Sequence, residues 1–168
     1  MYSRFTATVS QPNVLSLSTN VTNVSCNNGS NGAIDLTVTG GTSPYIYSWS
    51  SGTTVISSSQ DLTSRSAGTY TVRVTDANSC TSSASVTITQ TALLALTSSV
   101  TNVACYGDAT GSINITVTGG TLPFRYTWTS GQHTEDLFGV RAGAYSVTVL
   151  DTNGCSISRS FTVTQPAS

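Results

Sequence analysis

The chain has 168 residues, 8% of them charged and 38% hydrophobic, with a formal net charge of −1. All six basic residues are arginine, which leaves no basic patch for a phosphate backbone and argues against nucleic-acid binding. No apolar run approaches the ~20 residues that a membrane-spanning helix needs, and no signal peptide is found, so any export signal is expected outside this segment.

Two copies of one repeat fill most of the chain. Cys26 and Cys105 lie 79 positions apart, whereas Cys80 and Cys155 lie 75 apart, so the second copy is four residues shorter. The deletion falls within 131–136, in a segment that reads "GTTVISSSQD" in the first copy. An internal repeat of this kind indicates an array of small domains that contact their neighbours.

The repeat defines the predicted domains, which are residues 13–91 and 92–168. The opening "YSRFTATVSQP" resembles the ends of both copies, "SSASVTITQ" and "ISRSFTVTQP". Residues 1–12 are therefore predicted to be the terminal strand of a preceding repeat or a linker. The chain is expected to be cut from a longer array.

The strand patterns alternate apolar and polar residues at period two, which is typical of strands with one buried face. In "AIDLTVT" the alternation puts Ile34, Leu36 and Val38 on one face, and "SINITVT", "TYTVRVT" and "AYSVTVL" repeat it. Turn signals such as "TGGTSP" and "SAGT" separate the strands at short spacing. We predict an all-β fold of tandem immunoglobulin-like antiparallel β-sandwiches. The six strands predicted in the first copy are 14–19, 32–39, 45–50, 54–62, 69–75 and 82–89.

Each copy contains two cysteines at equivalent places, and none has a zinc-like spacing. Their even distribution predicts one disulfide within each domain, Cys26–Cys80 and Cys105–Cys155. Strands two to five make four antiparallel passes, so both cysteines of a copy are predicted at the same end of its sandwich. Structural disulfides imply an oxidising compartment, so we expect an extracellular or cell-surface location.

Aromatic residues alternate along the third strand of each copy. They are interpreted as core, because each copy has little else bulky enough to fill a sandwich; the alternative is a sugar-binding platform. "DLTSRSAGTY" also resembles the corner before the penultimate strand of immunoglobulin-like domains, where a tyrosine hydroxyl bonds back to the chain. The predicted core aromatics are Tyr45, Tyr47, Trp49, Tyr70, Phe124, Tyr126, Trp128 and Tyr145, with Tyr70 and Tyr145 at the corners.

No cofactor is predicted, and calcium is the one metal considered. "DANSC" and "DTNGC" carry oxygen donors, but Asp and Asn at such places also serve hairpin turns by bonding their own backbone. A disulfide within the first domain would bring "NNGSN" (27–31) beside Asp76 and add ligands, since calcium takes six to eight oxygens. The candidate ligands are Asp76, Asn78, Asp108, Asp151 and Asn153.

No catalytic site is predicted. His133 is the only histidine and has no counterpart in the other copy. Glu135 and Asp136 are adjacent on a predicted strand, so they point to opposite faces and cannot flank one substrate bond. The cysteines are expected to be oxidised and therefore unavailable as nucleophiles.

The sequence resembles the SprB-type repeat, which is found in many copies in giant cell-surface adhesins of gliding Bacteroidetes. The motifs that carry the resemblance are "CNNGSNGAIDLTVTGGTSPYIYSWS" and "DLTSRSAGTYTVRVTDANSC", with "CYGDATGSINITVTGGTLPFRYTW" and "AGAYSVTVLDTNGC" in the second copy. The resemblance implies adhesins that the type IX secretion system exports and the gliding machinery moves, without catalytic residues. Thr91 departs from the pattern, because Pro12 and Pro166 stand at the equivalent places.

The expected function is that of a non-catalytic segment of a large adhesin, acting as a stiff extracellular spacer that supports adhesion and gliding motility. Neighbouring repeats of the same chain are the expected partners. One alternative is a carbohydrate- or protein-binding module, with surface polysaccharide as a ligand. Another is a subunit of an extracellular filament, with like subunits as partners.

Overall fold

The computed structural model describes residues 11–167, and these residues form thirteen strands. Among them no helix has the length and apolar character that crossing a bilayer requires. The terminal strand predicted within 1–12 lies outside the described residues, except for Gln11 and Pro12. The strands are β1 (Ser16–Thr22), β2 (Gly32–Thr39), β3 (Ile46–Ser51), β4 (Thr54–Ser57), β5 (Leu62–Arg65), β6 (Gly68–Thr75), β7 (Thr81–Ile88), β8 (Ala95–Thr101), β9 (Gly111–Thr118), β10 (Arg125–Trp128), β11 (Leu137–Val140), β12 (Gly143–Leu150) and β13 (Ser156–Val163).

The described residues separate into two compact units. Unit 1 contains residues 11–23 and Ser30–Thr89, and unit 2 contains Val24–Gly29 together with 90–167. Residues 24–29 belong to the first copy by sequence but pack within unit 2. The repeat pattern does not predict that this segment packs in the other unit.

Each unit is a sandwich of two antiparallel sheets. The sheets of unit 1 have the strand orders β1–β2–β5 and β4–β3–β6–β7, and those of unit 2 have β8–β9–β11 and β10–β12–β13. The period-two alternation turns one face of each sheet inward, so that Ile34, Leu36, Val72 and Val74 are fully buried. The predicted all-β sandwich architecture is confirmed.

The prediction of one continuous strand over 54–62 is wrong, because the chain changes sheets within this segment. β4 pairs with β3, whereas β5 pairs with β2 in the other sheet. The crossing is fixed by Trp49, whose Nε1 donates hydrogen bonds to the carbonyl oxygens of Ser59 (3.1 Å) and Gln60 (3.0 Å). In unit 2 the deletion removes the counterpart of β4, and residues 129–136, all of them described, contain no strand.

The additional crossing decides at which end of the sandwich each cysteine lies. Arg65 at the end of β5 pairs with Gly32 at the start of β2, and β6 then begins at Gly68. β2 and β6 therefore start at the same end, and β6 runs eight residues away from it, about 24 Å. Cys26 precedes β2 and Cys80 follows β6, so the two sulfur atoms lie a strand length apart and cannot bond.

The tryptophans form the centre of each core. Trp49 is 0% exposed and Trp128 is 2% exposed, and Tyr70 is buried at 5%. The aromatic row along the third strand of each copy is fully buried only at its tryptophan. The other predicted core aromatics are half-buried: Tyr45, Tyr47, Phe124, Tyr126 and Tyr145.

Both predicted tyrosine corners are present. The hydroxyl of Tyr70 donates to the carbonyl oxygen of Ser66 at 2.9 Å, and that of Tyr145 donates to the carbonyl oxygen of Arg141 at 2.9 Å. Each bond ties the penultimate strand to the loop that leads into it.

Candidate functional site

A disulfide joins the two sequence copies. Cys26 and Cys155 are bonded, with Cα atoms 5.6 Å apart, and Cys80 and Cys105 are exposed thiols. The predicted pairs Cys26–Cys80 and Cys105–Cys155 are therefore both wrong. Gly111 at the start of β9 pairs with the end of β11, just before β12 begins, so the two cysteines of the second copy also lie at opposite ends of their sandwich. The bond lies within unit 2, to which Cys26 belongs.

Two cysteine turns, residues 76–80 and 151–155, are each built on a buried aspartate. Asp76 and Asp151 are both 4% exposed. In each turn the backbone N–H groups of the asparagine and the cysteine donate to Oδ1 at 2.8–2.9 Å. A backbone N–H from the loop before the third strand of the copy donates to Oδ2 at 2.9 Å. The carboxylate thus supplies three otherwise unpaired N–H groups with an acceptor and fixes the position of the cysteine.

The hydrogen bonds at Asp76 outweigh the effect of its burial on its pKa. Burial by itself raises the pKa of this carboxyl, whereas N–H donors from Thr42, Cys80 and Asn78 bring it below the ordinary value of 3.8. Because the folded pKa lies below the unfolded one, the ionised carboxylate stabilises the fold above the unfolded pKa. This stabilisation is lost as the pH falls through the folded pKa.

We therefore expect the melting temperature of unit 1 to fall as the pH is lowered below about 4, the ordinary pKa range of an aspartate. Trp49 fluorescence in a Trp128→Phe background follows unit 1 alone. The Asp76→Asn chain has no carboxyl to titrate at this place and should lose part of the acid dependence. An equally steep acid loss in both chains would contradict the expectation.

The calcium candidates are occupied by hydrogen bonds or stand apart. Asp76 and Asp151 accept backbone N–H groups at both carboxylate oxygens. Asn78 and Asn153 donate their side-chain amides to threonine hydroxyls at 2.9 and 3.0 Å. Asp108 lies on a separate exposed loop. Within residues 11–167 no group of three or more His, Cys, Asp or Glu side chains is placed to hold a metal.

Two of the asparagines of 27–31 bond elsewhere than to Asp76, because the cysteine pairing on which that expectation depended is wrong. Asn27 and Asn28 instead bond to Thr91 and Gln90, inside unit 2. We expect neither EDTA nor added calcium to change the melting temperature of either unit. A rise with calcium that Asp76→Asn or Asp151→Asn abolishes would contradict this expectation.

Asp151 is expected to stabilise unit 2 strongly through its three N–H donors. Asp151→Ala leaves these donors unpaired in a buried turn. The first unpaired donor costs about 1–3 kcal/mol of stability, and the other two cost less because water can enter the space that the carboxylate leaves. We expect denaturant titration to show about 2–4 kcal/mol lost from the free energy of unfolding of unit 2. Asp151→Asn keeps one oxygen acceptor and should lose less; an equal loss in both variants would contradict the role assigned to the oxygen.

Two cysteine loops, residues 25–29 and 104–108, have the same backbone turn. In each loop the N–H three positions after the cysteine donates to the cysteine's carbonyl oxygen, at 3.0 Å in the first and 3.2 Å in the second. The N–H two positions after the cysteine donates to the glutamine that follows the last strand, Gln90 (2.8 Å) or Gln165 (3.0 Å). No role was predicted for these glutamines, although the "TQ" that closes each copy is a signal for them.

The cysteine loop 25–29 is held in unit 2 by polar contacts beside the disulfide. Asn27 Nδ2 donates to the carbonyl oxygen of Thr91 at 3.1 Å, and Thr91 Oγ1 donates to that of Ser25 at 3.0 Å. Asn153 Nδ2 donates to the same Ser25 oxygen at 3.2 Å. The loop is therefore docked by hydrogen bonds as well as by the covalent bond.

A cavity of about 400 Å³ lies beside the disulfide and is lined by both bonded cysteines and by residues 91–94. The segment 91–94 can pass this close because position 119 is glycine. A Cβ there would lie 1.9 Å from the carbonyl oxygen of Leu93. The covalent bond, the docked loop and the cavity together form the candidate site. Its chemistry is a disulfide that links a cysteine of one sequence copy to a cysteine of the next.

Comparison with known families supports the two predicted copies. Residues 18–54 and 97–133 match the family model described as SprB repeat. No curated protein matches the sequence.

Solved structures of similar fold are immunoglobulin and fibronectin-like modules. The N-terminal eight Ig domains of Down Syndrome Cell Adhesion Molecule match with a TM-score of 0.49 and 13% identity over 92% of this chain, which spans 25% of that structure. DIP-gamma IG1+IG2 matches at 0.47 and 13% identity, over 90% and 98% of the two chains. The fibronectin(III)-like modules of Clostridium thermocellum CbhA match at 0.38 and 16%, over 89% and 95%. The identities are below 25% and the TM-scores below 0.5, so no property of these proteins is transferred to this chain.

Proposed function

Because the chain carries two SprB repeats, we propose that it is a non-catalytic segment of a bacterial cell-surface adhesin, acting as a stiff extracellular spacer. SprB repeats and immunoglobulin-like sandwiches are non-catalytic domain types, and a segment of this kind fits an adhesin. In the parent protein the spacer supports adhesion and gliding motility, after export by type IX secretion. The observation that carries the proposal is the disulfide between the two copies.

The disulfide gives the segment a covalent load path. Cys26 lies near the beginning of the first copy and Cys155 near the end of the second, 129 positions later. A pulling force applied to the two ends of the chain passes through the bond between these cysteines. The strands between them are therefore shielded from extension even when their hydrogen bonds break.

The connectivity of the two units also supports a stiff spacer. The chain passes from one unit to the other at three places, after residues 23, 29 and 89. The two units therefore share three connections of the chain where a single linker would give one. The disulfide in addition requires an oxidising compartment, which fits a cell-surface location.

Single-molecule force spectroscopy on the full chain, held by its two ends, tests the proposal. In the oxidised chain the bond withholds 129 positions from extension, about 430–460 Å at 3.3–3.6 Å per residue. We expect the oxidised chain to lengthen by that much less than the same chain in the presence of a reductant. Cys26→Ser should behave as the reduced chain without any reductant.

The matched control is the Cys80→Ser/Cys105→Ser chain, which lacks only the exposed thiols and should extend like the oxidised wild type. Equal lengthening with and without reductant would show that the bond carries no load, and the spacer function would lose its support. Binding of the chain to defined polysaccharides on a glycan array would instead favour the binding-module alternative.

A further inference from the structure

The exposed thiols occupy the same positions in the repeat as the bonded cysteines. Cys80 is equivalent to Cys155 at an offset of 75, and Cys105 is equivalent to Cys26 at an offset of 79. The chain thus contains one bonded pair, one free cysteine in a turn (Cys80) and one free cysteine in a loop (Cys105). This equivalence holds whether or not the segment acts as a spacer.

The cysteine turn that contains Cys80 is already arranged as the one that contains Cys155. The N–H of Cys80 donates to Asp76 Oδ1 at 2.8 Å, the distance also found in the other turn. Asn78 Nδ2 donates to a threonine hydroxyl at 2.9 Å, as Asn153 does. A side-chain amide has two N–H donors, and Asn153 uses its amide to hold the docked loop as well. Asn78 can hold a docked loop in the same way.

A cavity beside Cys80 matches the one beside the disulfide. It has a volume of about 280 Å³ and is lined by residues 11–15, Gly41, Asp76 and Cys80. Residues 11–15 correspond to 90–94 at the offset of 79, and most of these line the cavity of unit 2. The cavity of unit 2 is also lined by Cys26 and Asn27, for which unit 1 has no counterpart.

The cysteine loop 104–108 has the same backbone shape as loop 25–29, which docks beside Cys155. Its turn and its glutamine contact reproduce those of loop 25–29. Tyr106 stands at the position of Asn27 and is 61% exposed, so its ring is available for a contact. The apolar side chains of Val14 and Leu15 line the cavity beside Cys80 and offer a surface for such a ring.

We propose that every junction between successive repeats is closed by a disulfide of the Cys26–Cys155 kind. Cys80 accordingly binds the loop cysteine of a preceding repeat, and Cys105 binds the turn cysteine of a following one. The partner in each case is another copy of this repeat, joined in the same phase. Two thiols lose two protons and two electrons to a small disulfide such as glutathione disulfide, which leaves as two glutathione thiols.

A tandem chain tests the proposal. The first half contains residues 1–165 and the second half contains residues 12–168. Pro12 then follows Gln165 as Thr91 follows Gln90. After oxidation with glutathione disulfide, non-reducing chymotryptic mapping should reveal a peptide that links Cys105 of the first half to Cys80 of the second. Two alkylatable thiols should then remain instead of four, since each single chain contributes two.

Two matched variants decide where the bond lies, because Cys80→Ser can be made in either half alone. Cys80→Ser in the second half should abolish the linked peptide and raise the thiol count, whereas Cys80→Ser in the first half should leave the linked peptide intact. Four free thiols in the folded, oxidised tandem chain would overturn the proposal. A linked peptide that persists in the second-half variant would overturn it as well.

Discussion

Replacing Cys26 by serine is expected to lower the free energy of unfolding of unit 2 by about 4–5 kcal/mol, the largest effect foreseen for any single change outside the core. With unit 1 folded, the bond closes a flexible loop of about 70 residues, because 60 of the intervening residues (Ser30–Thr89) are held in unit 1. With both units unfolded, the loop spans 129 positions. The chain-entropy estimate is about 4 kcal/mol for the first case and about 5 for the second, since the dependence on loop length is logarithmic. The docked loop 25–29 would also lose its covalent anchor.

Denaturant titration in a Trp49→Phe background measures this loss, because Trp128 is then the only tryptophan and reports on unit 2. Addition of a reductant to the unsubstituted chain should reproduce the effect of Cys26→Ser. The control is Cys105→Ser, which removes an exposed thiol and should change the free energy by less than about 0.5 kcal/mol. Equal losses in the two variants would contradict the assignment of the bond.

Trp128→Ala is expected to destabilise unit 2 by about 3–5 kcal/mol, the range for removing a large aromatic side chain from a core. Trp128 is 2% exposed, and its ring lies 5.8 Å from that of Phe161. Its Nε1 also donates to the carbonyl oxygen of Thr134 at 2.9 Å, which fixes the turn that replaces a strand in this copy. The substitution therefore opens a cavity and releases the crossing between the sheets.

Far-UV circular dichroism follows the unfolding of the Trp128→Ala chain, while Trp49 fluorescence follows unit 1 separately. Trp128→Phe is the matched control: it retains an aromatic ring, loses the N–H donor and should cost clearly less than the alanine variant. A loss below about 1 kcal/mol for Trp128→Ala would show that the core does not depend on this ring.

Local pattern was sufficient wherever a strand alternates in place. β2 coincides with the predicted strand 32–39, and β6 and β7 lie within one residue of theirs. Period-two burial is a property of the extended chain itself, so each residue's position along the strand decides the face on which it lies. The tyrosine corners could be predicted because they too are local: Tyr70 bonds to a residue only four positions away.

The pairing of the cysteines could not be predicted in this way. It depends on the number of times the chain crosses the sandwich. Residues 54–62 read as one strand, although β4 ends at Ser57 and Leu62 begins β5 in the other sheet. The crossing is set by hydrogen bonds from Trp49 to main-chain carbonyl groups, which every residue has, so the residue types at 59 and 60 do not reveal that they accept these bonds. One missed crossing reverses the end at which Cys80 lies.

The sequence by itself therefore determined the repeat, the class of fold, the faces of the strands and the equivalent positions of the cysteines in the two copies. The tertiary structure alone decided which cysteines meet, which residues belong to each unit, and that Asp76 and Asp151 hold turns through backbone N–H groups. The physical reason is one of range. Alternation and turns are governed by neighbouring residues, whereas Cys26 and Cys155 are separated by 129 positions and are brought together only by the path of the whole chain.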